Sequence, residues 1–569
     1  IFLSTEGNGI RVINYTVSNS DPTLLEIDKN NIWDDQNQLS SNSISDFAIS
    51  DDILYISTTD SGIDRFDTDS NSWLPSWTSS NWLPSNSIVG MATTPGFLYI
   101  LTEESIQPYN TQVLLFGSEI ELSDLKKSEF NLKMPIWAPG SYLAREFAKN
   151  VNLVKAFDFE GNNVSVKKID KNTWKINGFK GDRVVIKYEV YAFELSVRTS
   201  FLDLTHGFVS GSGVFMYVEG LKNKSGLLEI IPHKSFKEIT TALNEETLWK
   251  AIDGSRCYKF NNYDHLVDCP IEIGNQLLFS FEAAGVNHKV AMYGFGNYSI
   301  GKLQKDMANI VESATAVFGY NPNKEYTFII HNVVNAQGGL EHKNSTVLSV
   351  NRWTYEGEEY LKFLKLVAHE YFHLWNVKRI RPIELGPFNY DQENFTSLLW
   401  VMEGFTSYYE KLILYRAGYY SKIDFLNSMF STLNYVEGSL GSRVQPVSHA
   451  SFDAWIKAYR PNENSHNTTM SYYSRGSIIA MIFDVEIIKK YNGKKSLDNF
   501  MQDLYSNYYM KKKRGFSEKE FKQELKKILG GGIEQFYADY IDGTKIPNYS
   551  EIFFPLGLKI EYIGKSKPS

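Results

Sequence analysis

A short segment of the sequence carries the residue types of a metal site. His369-Glu370-Tyr371-Phe372-His373 follows the largely apolar stretch LKFLKLVA. If this segment is helical, its two histidines lie about 40° apart around the axis, so both imidazoles face one site. The adjacent carboxylate can hold a water and take its proton. The spacing predicts a zinc-dependent hydrolase, and the alternative is a pair of core histidines with protein partners.

A catalytic zinc site needs a third protein ligand, because it keeps three protein ligands and one open position. Glu403 lies in the next long apolar segment, SLLWVMEGFTSYYEKLILYRAG, with no other acid within a turn. A carboxylate in such surroundings is poorly explained without a cation. We predict that the segment from about Lys378 to Thr396 turns the chain, so that two antiparallel helices bring Glu403 to the histidines. The alternative is an ion pair with Arg379 or Arg381.

The composition indicates a globular chain of several domains. Its 569 residues predict about three or four domains, and 43% hydrophobic with 22% charged residues excludes a disordered chain. The net charge of -8 argues against nucleic acid as a partner. No run of about 18 apolar residues occurs, so we predict no membrane span. Two cysteines exclude a disulfide scaffold and a thiolate zinc site, and leave open whether Cys257 and Cys269 pair.

The segment 1–112 contains an internal repeat. SNSISDFAISDDILYISTTDSGIDRFDT begins at Ser41 and SNSIVGMATTPGFLYILTEESIQPYNT begins at Ser85, an offset of 44 residues that closes to 43 near Gly62. A half-copy, IFLSTEGNGIRVINY, opens the chain. A period of this length with several short strands is typical of propeller blades. We predict an incomplete propeller-like segment that could bind a protein partner, and the alternative is a β-rich accessory domain with accidental similarity.

The segment 113–287 keeps a β pattern and predicts a β-sandwich or saddle-shaped sheet domain. Asp182–Phe193 has period-two stretches, and Asn152–Ile176 predicts a hairpin around the sequence EGN at 160–162.

The segment 288–548 predicts a small sheet followed by a helical body, so the fold class is multidomain α+β. We expect strands at Lys289–Tyr293, Tyr326–His331 and Thr346–Val350, the last after a Gly-Gly turn. Gly418 and Gly493 are expected to end helices. The expected helices are Gly301–Phe318, Glu358–Val377, Ser397–Arg416, Ser474–Tyr491, Leu497–Tyr508 and Glu518–Leu529. Residues 549–569, with a strand-like stretch at Leu556–Tyr562, are expected to begin a further strand region.

The longest motifs resemble the glycyl aminopeptidase family of zinc metallopeptidases. HEYFHLWNVKRIRP is followed by LGPFNY and then by LLWVMEGFTSYYE. Upstream, MPIWAPGSYLAREFA (Met134–Ala148), VRTSFLD (Val197–Asp203) and YDHLVDCPIEIG (Tyr263–Gly274) resemble that family's amino-terminal sheet domain. The resemblance covers about residues 113–569.

This resemblance implies a thermolysin-like α+β zinc peptidase domain with a helical body over 288–548. It implies His369, His373 and Glu403 as zinc ligands and Glu370 as general base, with a preference for small first residues such as Gly or Ala. Members often carry a PDZ domain after the region that this chain reaches at residues 554–557, and the propeller-like leader is not a usual family part.

Two further motifs resemble those of related enzymes. Gly338-Gly339-Leu340-Glu341-His342 precedes a predicted strand, as a glycine-rich motif does in alanyl-type aminopeptidases, where its glutamate holds the substrate's amino group. A fixed carboxylate in a partly dry cleft can recognise a terminal ammonium, and the following strand can pair with the substrate backbone. We therefore predict Gly338, Gly339 and Glu341 as substrate-binding residues. The alternative is a tight turn with a solvated Glu341.

The sequence Tyr-Ser-Arg-Gly at 473–476 resembles a Tyr-x-Lys-Gly motif whose tyrosine stabilises the tetrahedral oxyanion. Its spacing from the Arg-Gly pair favours Tyr473 over the adjacent Tyr472. The alternative is an ordinary core tyrosine.

Together these patterns predict a zinc aminopeptidase that acts on peptides with a free amino terminus. The alternatives are a zinc endopeptidase on the same site and a sensor or binding protein that uses the repeats. No GxSxG motif occurs, and Gly564-Lys565-Ser566 lacks the first glycine of a phosphate loop. Because the chain begins with Ile1 and no leader follows, we expect a processed chain or a fragment, and we favour a periplasmic or secreted location.

Overall fold

The computed structural model divides the chain into two compact units, Ile1–Leu115 and Phe116–Ser569. It describes residues 115–247 and 254–560 without a gap. In the earlier part of the chain it describes residues 2–5, 9–17, 25–33, 38–50, 53–68, 70–80, 83, 85–94, 97–103 and 105–110.

The described residues of the first unit form three antiparallel sheets, with strand orders β1-β2-β3, β4-β5-β6-β7 and β10-β9-β8. Their strands are β1 (Phe2–Thr5), β2 (Gly9–Val17), β3 (Leu25–Trp33), β4 (Ile44–Ser50), β5 (Ile53–Thr58), β6 (Ile63–Asp67), β7 (Ser72–Trp77), β8 (Gly90–Thr94), β9 (Phe97–Leu101) and β10 (Ile106–Asn110).

The repeat recurs as equivalent strands within this unit. Ile53 and Phe97 begin strands 44 residues apart, and Ile63 and Ile106 begin strands 43 residues apart, as the repeated sequence predicts. The meander of four strands in one sheet is the arrangement of a propeller blade. That this segment is propeller-like stays a prediction.

The second unit begins with a β-rich region whose largest sheet has the order β11-β16-β13-β14-β15-β12-β20. The predicted hairpin is confirmed, since β13 and β14 pair antiparallel on either side of residues 159–162. The elements are β11 (Leu115–Leu122), β12 (Glu129–Lys133), β13 (Val151–Asp158), β14 (Asn163–Asp170), β15 (Thr173–Asn177), β16 (Val184–Tyr191), β17 (Phe193–Ser196), β18 (Thr199–Leu202), β19 (Gly207–Val209), β20 (Tyr217–Val218), β21 (Gly226–Ile230), β22 (Glu238–Thr241), β23 (Asn244–Glu245), β24 (Arg256–Phe260), α1 (Tyr263–Val267) and β25 (Ile271–Gly274).

A five-stranded sheet follows this region, with the order β26-β27-β28-β30-β29. Its strands are β26 (Leu277–Ala283), β27 (Val286–Tyr293), β28 (Glu325–Val333), β29 (Gln337–Glu341) and β30 (Ser345–Asn351). The predicted Gly-Gly turn is wrong, because Gly338 and Gly339 lie inside β29, at the edge of the sheet. The strand after the motif, β30, pairs on both sides, so of these two described strands β29 is the one that lies at an edge of the sheet.

The helical body packs around the largest apolar core, to which α2, α3, α4 and α8 contribute. Its helices are α2 (Ile300–Ala316), α3 (Gly357–Phe372), α4 (Phe405–Arg416), α5 (Lys422–Gly438), α6 (Val447–Phe452), α7 (Ser465–Thr468), α8 (Tyr472–Lys490), α9 (Leu497–Leu504), α10 (Glu518–Leu529), α11 (Ile533–Phe536) and α12 (Tyr549–Phe553). Gly418 and Gly493 follow α4 and α8 with positive φ, as predicted.

Three helix predictions need correction. The helix expected over Glu358–Val377 ends at Phe372. The helix expected over Ser397–Arg416 contains a π-helical turn at Trp400–Gly404. The helix expected over Leu497–Tyr508 becomes π-helical from Tyr505 onward.

The predicted strand at Leu556–Tyr562 is wrong over its described part. The side chain of Asn548 caps α12, Phe554–Leu556 follows as a 3-10 turn with proline in its first turn, and residues 557–560 form neither a helix nor a strand. Residues 561–569 lie outside the described part of the chain.

Both cysteines are free and buried. No helix among the described residues is long and apolar enough to cross a bilayer.

Candidate active site

The three predicted metal ligands converge. Nε2 of His369 lies 3.5 Å from Oε2 of Glu403, and Nε2 of His373 lies 3.3 Å from the same oxygen. One donor atom from each residue lies within 4.8 Å of the other two. Both histidines come from the end of α3, and Glu403 comes from the π-helical turn before α4.

Asn376 connects the end of α3 to that π-helical turn. Its side-chain amide donates to the carbonyl oxygens of Val401 and Met402, each at 3.0 Å, and to Oγ1 of Thr406 at 3.1 Å. Two carbonyl oxygens of the π-helical turn thus accept hydrogen bonds from a residue outside that helix. This contact holds Glu403 at the position where it meets the histidines.

Each histidine is oriented through its other ring nitrogen. Nδ1 of His369 lies 2.7 Å from Oε2 of Glu410, and Nδ1 of His373 lies 2.6 Å from the carbonyl oxygen of Asn376. Such contacts fix the ring and leave Nε2 for a metal. Neither partner was predicted from the sequence. Glu410 could have been found, because it lies seven residues after Glu403 and therefore about two helical turns further along one face.

The surroundings of the histidines favour a positive charge. Burial lowers the pKa of His369, but Glu403 and Glu410 outweigh burial and raise that pKa well above its ordinary value. Burial opposes the charged form of Glu410, yet Lys411 and His369 lower its pKa to about 2. Likewise His373 and His369 lower the pKa of Glu403 to about 2 against the effect of burial. A cation placed between these groups would replace the proton that they attract.

The alternative of an ion pair between Glu403 and an arginine is wrong. Arg379 donates to the carbonyl oxygens of Lys343 and Leu374 and to Oδ1 of Asn323. Arg381 lies over the ring of Phe388. The alternative of a core histidine pair with protein partners is not decided by these contacts, since Glu403 faces both Nε2 atoms as such a partner.

Two more carboxylates are buried beside the ligands. Glu370 is 5% exposed and Glu341 is 4% exposed, and each has one oxygen with no hydrogen-bond partner among the described residues. One donor atom of Glu341, one of Glu370 and one of His373 lie within 4.8 Å of one another. Burial raises the pKa of Glu370 to about 7, and Glu341 adds to this rise against the two histidines. Unpartnered buried oxygens are costly, so they indicate a place where a ligand supplies the partner.

The glycines of the motif have different roles. A Cβ on Gly339 would lie 2.3 Å from Cδ of Glu370, so only glycine lets this carboxylate lie against β29. Gly338 has no such contact with the acids; a Cβ there would lie 3.9 Å from Nη1 of Arg198. Gly140 was missed by the sequence analysis, and its Cβ would lie 2.7 Å from Oε1 of Glu341. The alternative of a solvated Glu341 is therefore wrong.

Tyr473 is the tyrosine that faces the ligands. Its ring lies 6.3 Å from the ring of His369 at an angle of 23°, and its hydroxyl lies 3.2 Å from that of Tyr459. Burial, then the charge of Glu403, raises the pKa of Tyr473 well above its ordinary value, so the phenol is neutral and can donate. Tyr472 is 1% exposed and belongs to the core. No sequence motif pointed to Tyr459.

The glycine of this second motif lets two helices touch. A Cβ on Gly476 would lie 2.3 Å from the carbonyl oxygen of Trp400, and one on Gly404 would lie 2.4 Å from Cα of Gly476. The first turn of α8 therefore packs directly on the turn that carries Glu403. The preceding Arg475 is buried and pairs with Glu437 at 2.8 Å, away from the site chemistry.

Comparisons with known proteins agree with this arrangement. The family model described as M61 glycyl aminopeptidase matches residues 362–479, and the model of the peptidase M61 N-terminal domain matches residues 105–275. The first range contains both histidines, Glu370, Glu403 and Tyr473, whereas Glu341 lies between the two ranges. No curated protein sequence matches the chain.

Solved structures are also similar. A crystal structure of an aminopeptidase N family protein from Idiomarina loihiensis is 30% identical, with a TM-score of 0.74, and the match covers 79% of this chain and 77% of that one. A mutant M1 zinc metallopeptidase from Deinococcus radiodurans, bound to a Tyr-Ser-Ala substrate, matches at 13% identity with a TM-score of 0.49, over 76% of this chain and 91% of that one. The first of these structures and the two family models together show that the chain belongs to the M61 glycyl aminopeptidase family and is a peptidase.

Proposed function

We propose that this peptidase is a zinc-dependent aminopeptidase that removes small amino-terminal residues from peptides. The observation that carries the proposal is the convergence of His369, His373 and Glu403 beside two buried carboxylates, one of which is free to bind an ammonium. The family description "glycyl aminopeptidase" supports a small first residue such as Gly.

The donor set fits zinc. Two imidazole nitrogens and one carboxylate oxygen are a usual set for a catalytic zinc ion. His369 and His373 both turn Nε2 toward Glu403, while their Nδ1 atoms are engaged elsewhere. When bound, zinc would polarise the scissile carbonyl and make a water more acidic.

Three side chains carry out the other steps of the proposed mechanism. Glu370 holds the attacking water, takes its proton and passes that proton to the leaving amine; a pKa raised by burial suits a group that must both accept and release it. The hydroxyl of Tyr473 donates to the oxygen on which negative charge develops. Glu341 pairs with the substrate ammonium and fixes the first residue before the scissile bond.

A first prediction concerns the metal. We expect about one zinc per chain, with an open position for substrate. Elemental analysis of protein purified without chelator measures it, and His373→Ala should lose the metal. The exposed His233 supplies the control, since His233→Ala should keep it. A folded sample with no bound metal would contradict the proposal, as would zinc-loaded protein that releases no alanine from Ala-Ala-Ala.

A second prediction concerns Glu410. Replacing Glu410 by Gln removes the charge that orients His369, so zinc affinity should fall by about 10–100-fold. Competition with a chelator measures the change. Glu486→Gln is the matched control, because Glu486 is partly exposed on α8 and pairs with Lys489. Unchanged zinc affinity in Glu410→Gln would show that the contact does not support the ligand.

A further inference from the structure

The motif VRTSFLD, which the mechanism above leaves without a role, places an arginine beside the edge strand. Val197 and Arg198 form the turn between β17 and β18. Val197 is buried in a cluster with Ile329 and Leu340, so the turn is fixed against the sheet that carries β29. Nη2 of Arg198 donates to the carbonyl oxygen of Gly339 at 3.3 Å. The guanidinium therefore lies at the strand that borders the site.

Arg198 lacks an acidic partner. Over the described ranges, no carboxylate lies within ion-pair distance of its guanidinium, and its Nε is buried without a hydrogen-bond partner. A half-buried cation with an unfilled donor is costly unless an anion completes it. The guanidinium presents several donors in a fixed plane, which suits a carboxylate.

A second arginine adds to the positive charge. Arg145 lies in another of the upstream motifs, MPIWAPGSYLAREFA, and its Nε is also buried without a hydrogen-bond partner among the described residues. Nη2 of Arg145 donates to Oγ of Ser141 at 3.4 Å, and its ion pair with the exposed Glu194 is long, at 3.9 Å. Burial lowers the pKa of Arg145, and the nearby charge of Arg198 lowers it further. Glu194 raises the pKa of Arg145 against these two effects, and a substrate anion would favour both charged guanidiniums in the same way.

Strand β29 shows on which side of the scissile bond this charge lies. Glu341, which is proposed to receive the substrate ammonium, ends the strand. Toward the start of the strand, Gly339 lies against Glu370 and Gly338 lies nearest to Arg198. A strand rises about 3.3 Å per residue, so Arg198 is displaced from Glu341 by about 7–10 Å along it. An extended dipeptide or tripeptide spans a similar length between its amino group and its carboxylate.

We propose that Arg198, with Arg145 beside it, binds a substrate carboxylate on the leaving-group side of the cleft, so that the enzyme prefers di- and tripeptides with a free carboxyl terminus. The inference rests on the function proposed above and adds a substrate class to it. The same site would also bind an acidic side chain of the substrate's second residue. The experiment below distinguishes the carboxyl terminus from that side chain as the source of the carboxylate.

The test compares kcat/KM for Ala-Ala-Ala with that for its carboxyl-terminal amide, using the zinc-loaded protein. We expect the parent to prefer the free acid by about tenfold or more, the effect of one charge-assisted contact. Arg198→Met should lose most of its kcat/KM on the free acid and much less on the amide, so that the preference falls to about twofold or below. Arg198→Lys should keep part of the preference, because it keeps the charge. Arg183→Met, at an exposed arginine over Phe159, should leave the preference unchanged.

A second pair of substrates, Ala-Glu-amide and Ala-Gln-amide, tests the acidic side chain. A preference for Glu over Gln that disappears in Arg198→Met would support the carboxylate site and assign the side chain as its source. Equal rates on both members of both pairs in the parent would overturn the inference while leaving the aminopeptidase proposal in place. A loss in Arg198→Met that is the same for free acid and amide would also overturn it, since that is the result of a purely structural role. Failure of the parent to cut any of the four peptides would instead refute the function on which the inference rests.

Discussion

Replacing Glu370 by Gln is expected to lower kcat at least about a hundredfold while zinc stays bound. Gln keeps the shape of the Glu370 side chain, which lies so close to Gly339 that a Cβ on this glycine would clash with it. It cannot take a proton from water or return one to the leaving amine. Because Glu370 is not among the three converging ligands, its loss should affect turnover rather than metal content.

The measurement is kcat on Ala-Ala-Ala together with zinc analysis of the same sample. Glu359→Gln is the matched control, since Glu359 lies exposed on the same helix and pairs with Lys362. It should change kcat by less than about twofold, as surface ion pairs contribute little. Near-normal turnover in Glu370→Gln would mean that another group activates the water. Loss of zinc in that variant would place Glu370 among the ligands instead.

The convergence of the three proposed metal ligands was predictable because it depends on local rules. The i and i+4 spacing of His369 and His373 fixes their common direction once the segment is a helix. Glu403 was predictable because an isolated carboxylate in an apolar segment needs a partner. Neither argument required knowledge of the contacts made by distant parts of the chain.

The local form of the ligand-bearing helix was not predictable in the same way. The π-helical turn at Trp400–Gly404 depends on Asn376, which donates to two of its carbonyls, and on the close approach of Gly476. Such widened turns arise from tertiary contacts and occur often at functional sites. The periodicity of apolar residues carries no signal for them.

The prediction of a turn at the paired glycines failed for a related reason. Gly-Gly pairs are usually turn signals. Here Gly339 is required because a carboxylate from α3 lies against the strand, and Gly338 faces Arg198. A glycine in a strand can mark the close approach of another group, but sequence alone does not show which group approaches. By contrast, α5 could have been found, since Ser421 and Asp424 form a capping box at its start.

Glu341→Ala is expected to cost about 2–4 kcal/mol in transition-state binding of alanyl peptides, which is about 30–1000-fold in kcat/KM. Glu341 is 4% exposed, and its Oε1 has no hydrogen-bond partner within the described structure. A substrate ammonium can complete this carboxylate, and removing the carboxylate leaves that ammonium unpaired in the cleft. Glu341→Gln is the closer variant, because it removes the charge and keeps the volume beside Gly140.

Acetylating the amino group of the substrate separates an aminopeptidase from an endopeptidase. In the parent protein, acetylation should abolish cleavage, because the buried carboxylate then loses its cationic partner and meets a neutral amide. In Glu341→Ala the same modification should cause comparatively little further loss, since both changes remove one interaction and their effects are not additive. A merely destabilising effect of the mutation would leave the penalty for acetylation unchanged, so the double comparison distinguishes the two causes. If the parent cuts acetylated and free peptides equally well, Glu341 is not an ammonium site, and the same zinc centre serves an endopeptidase.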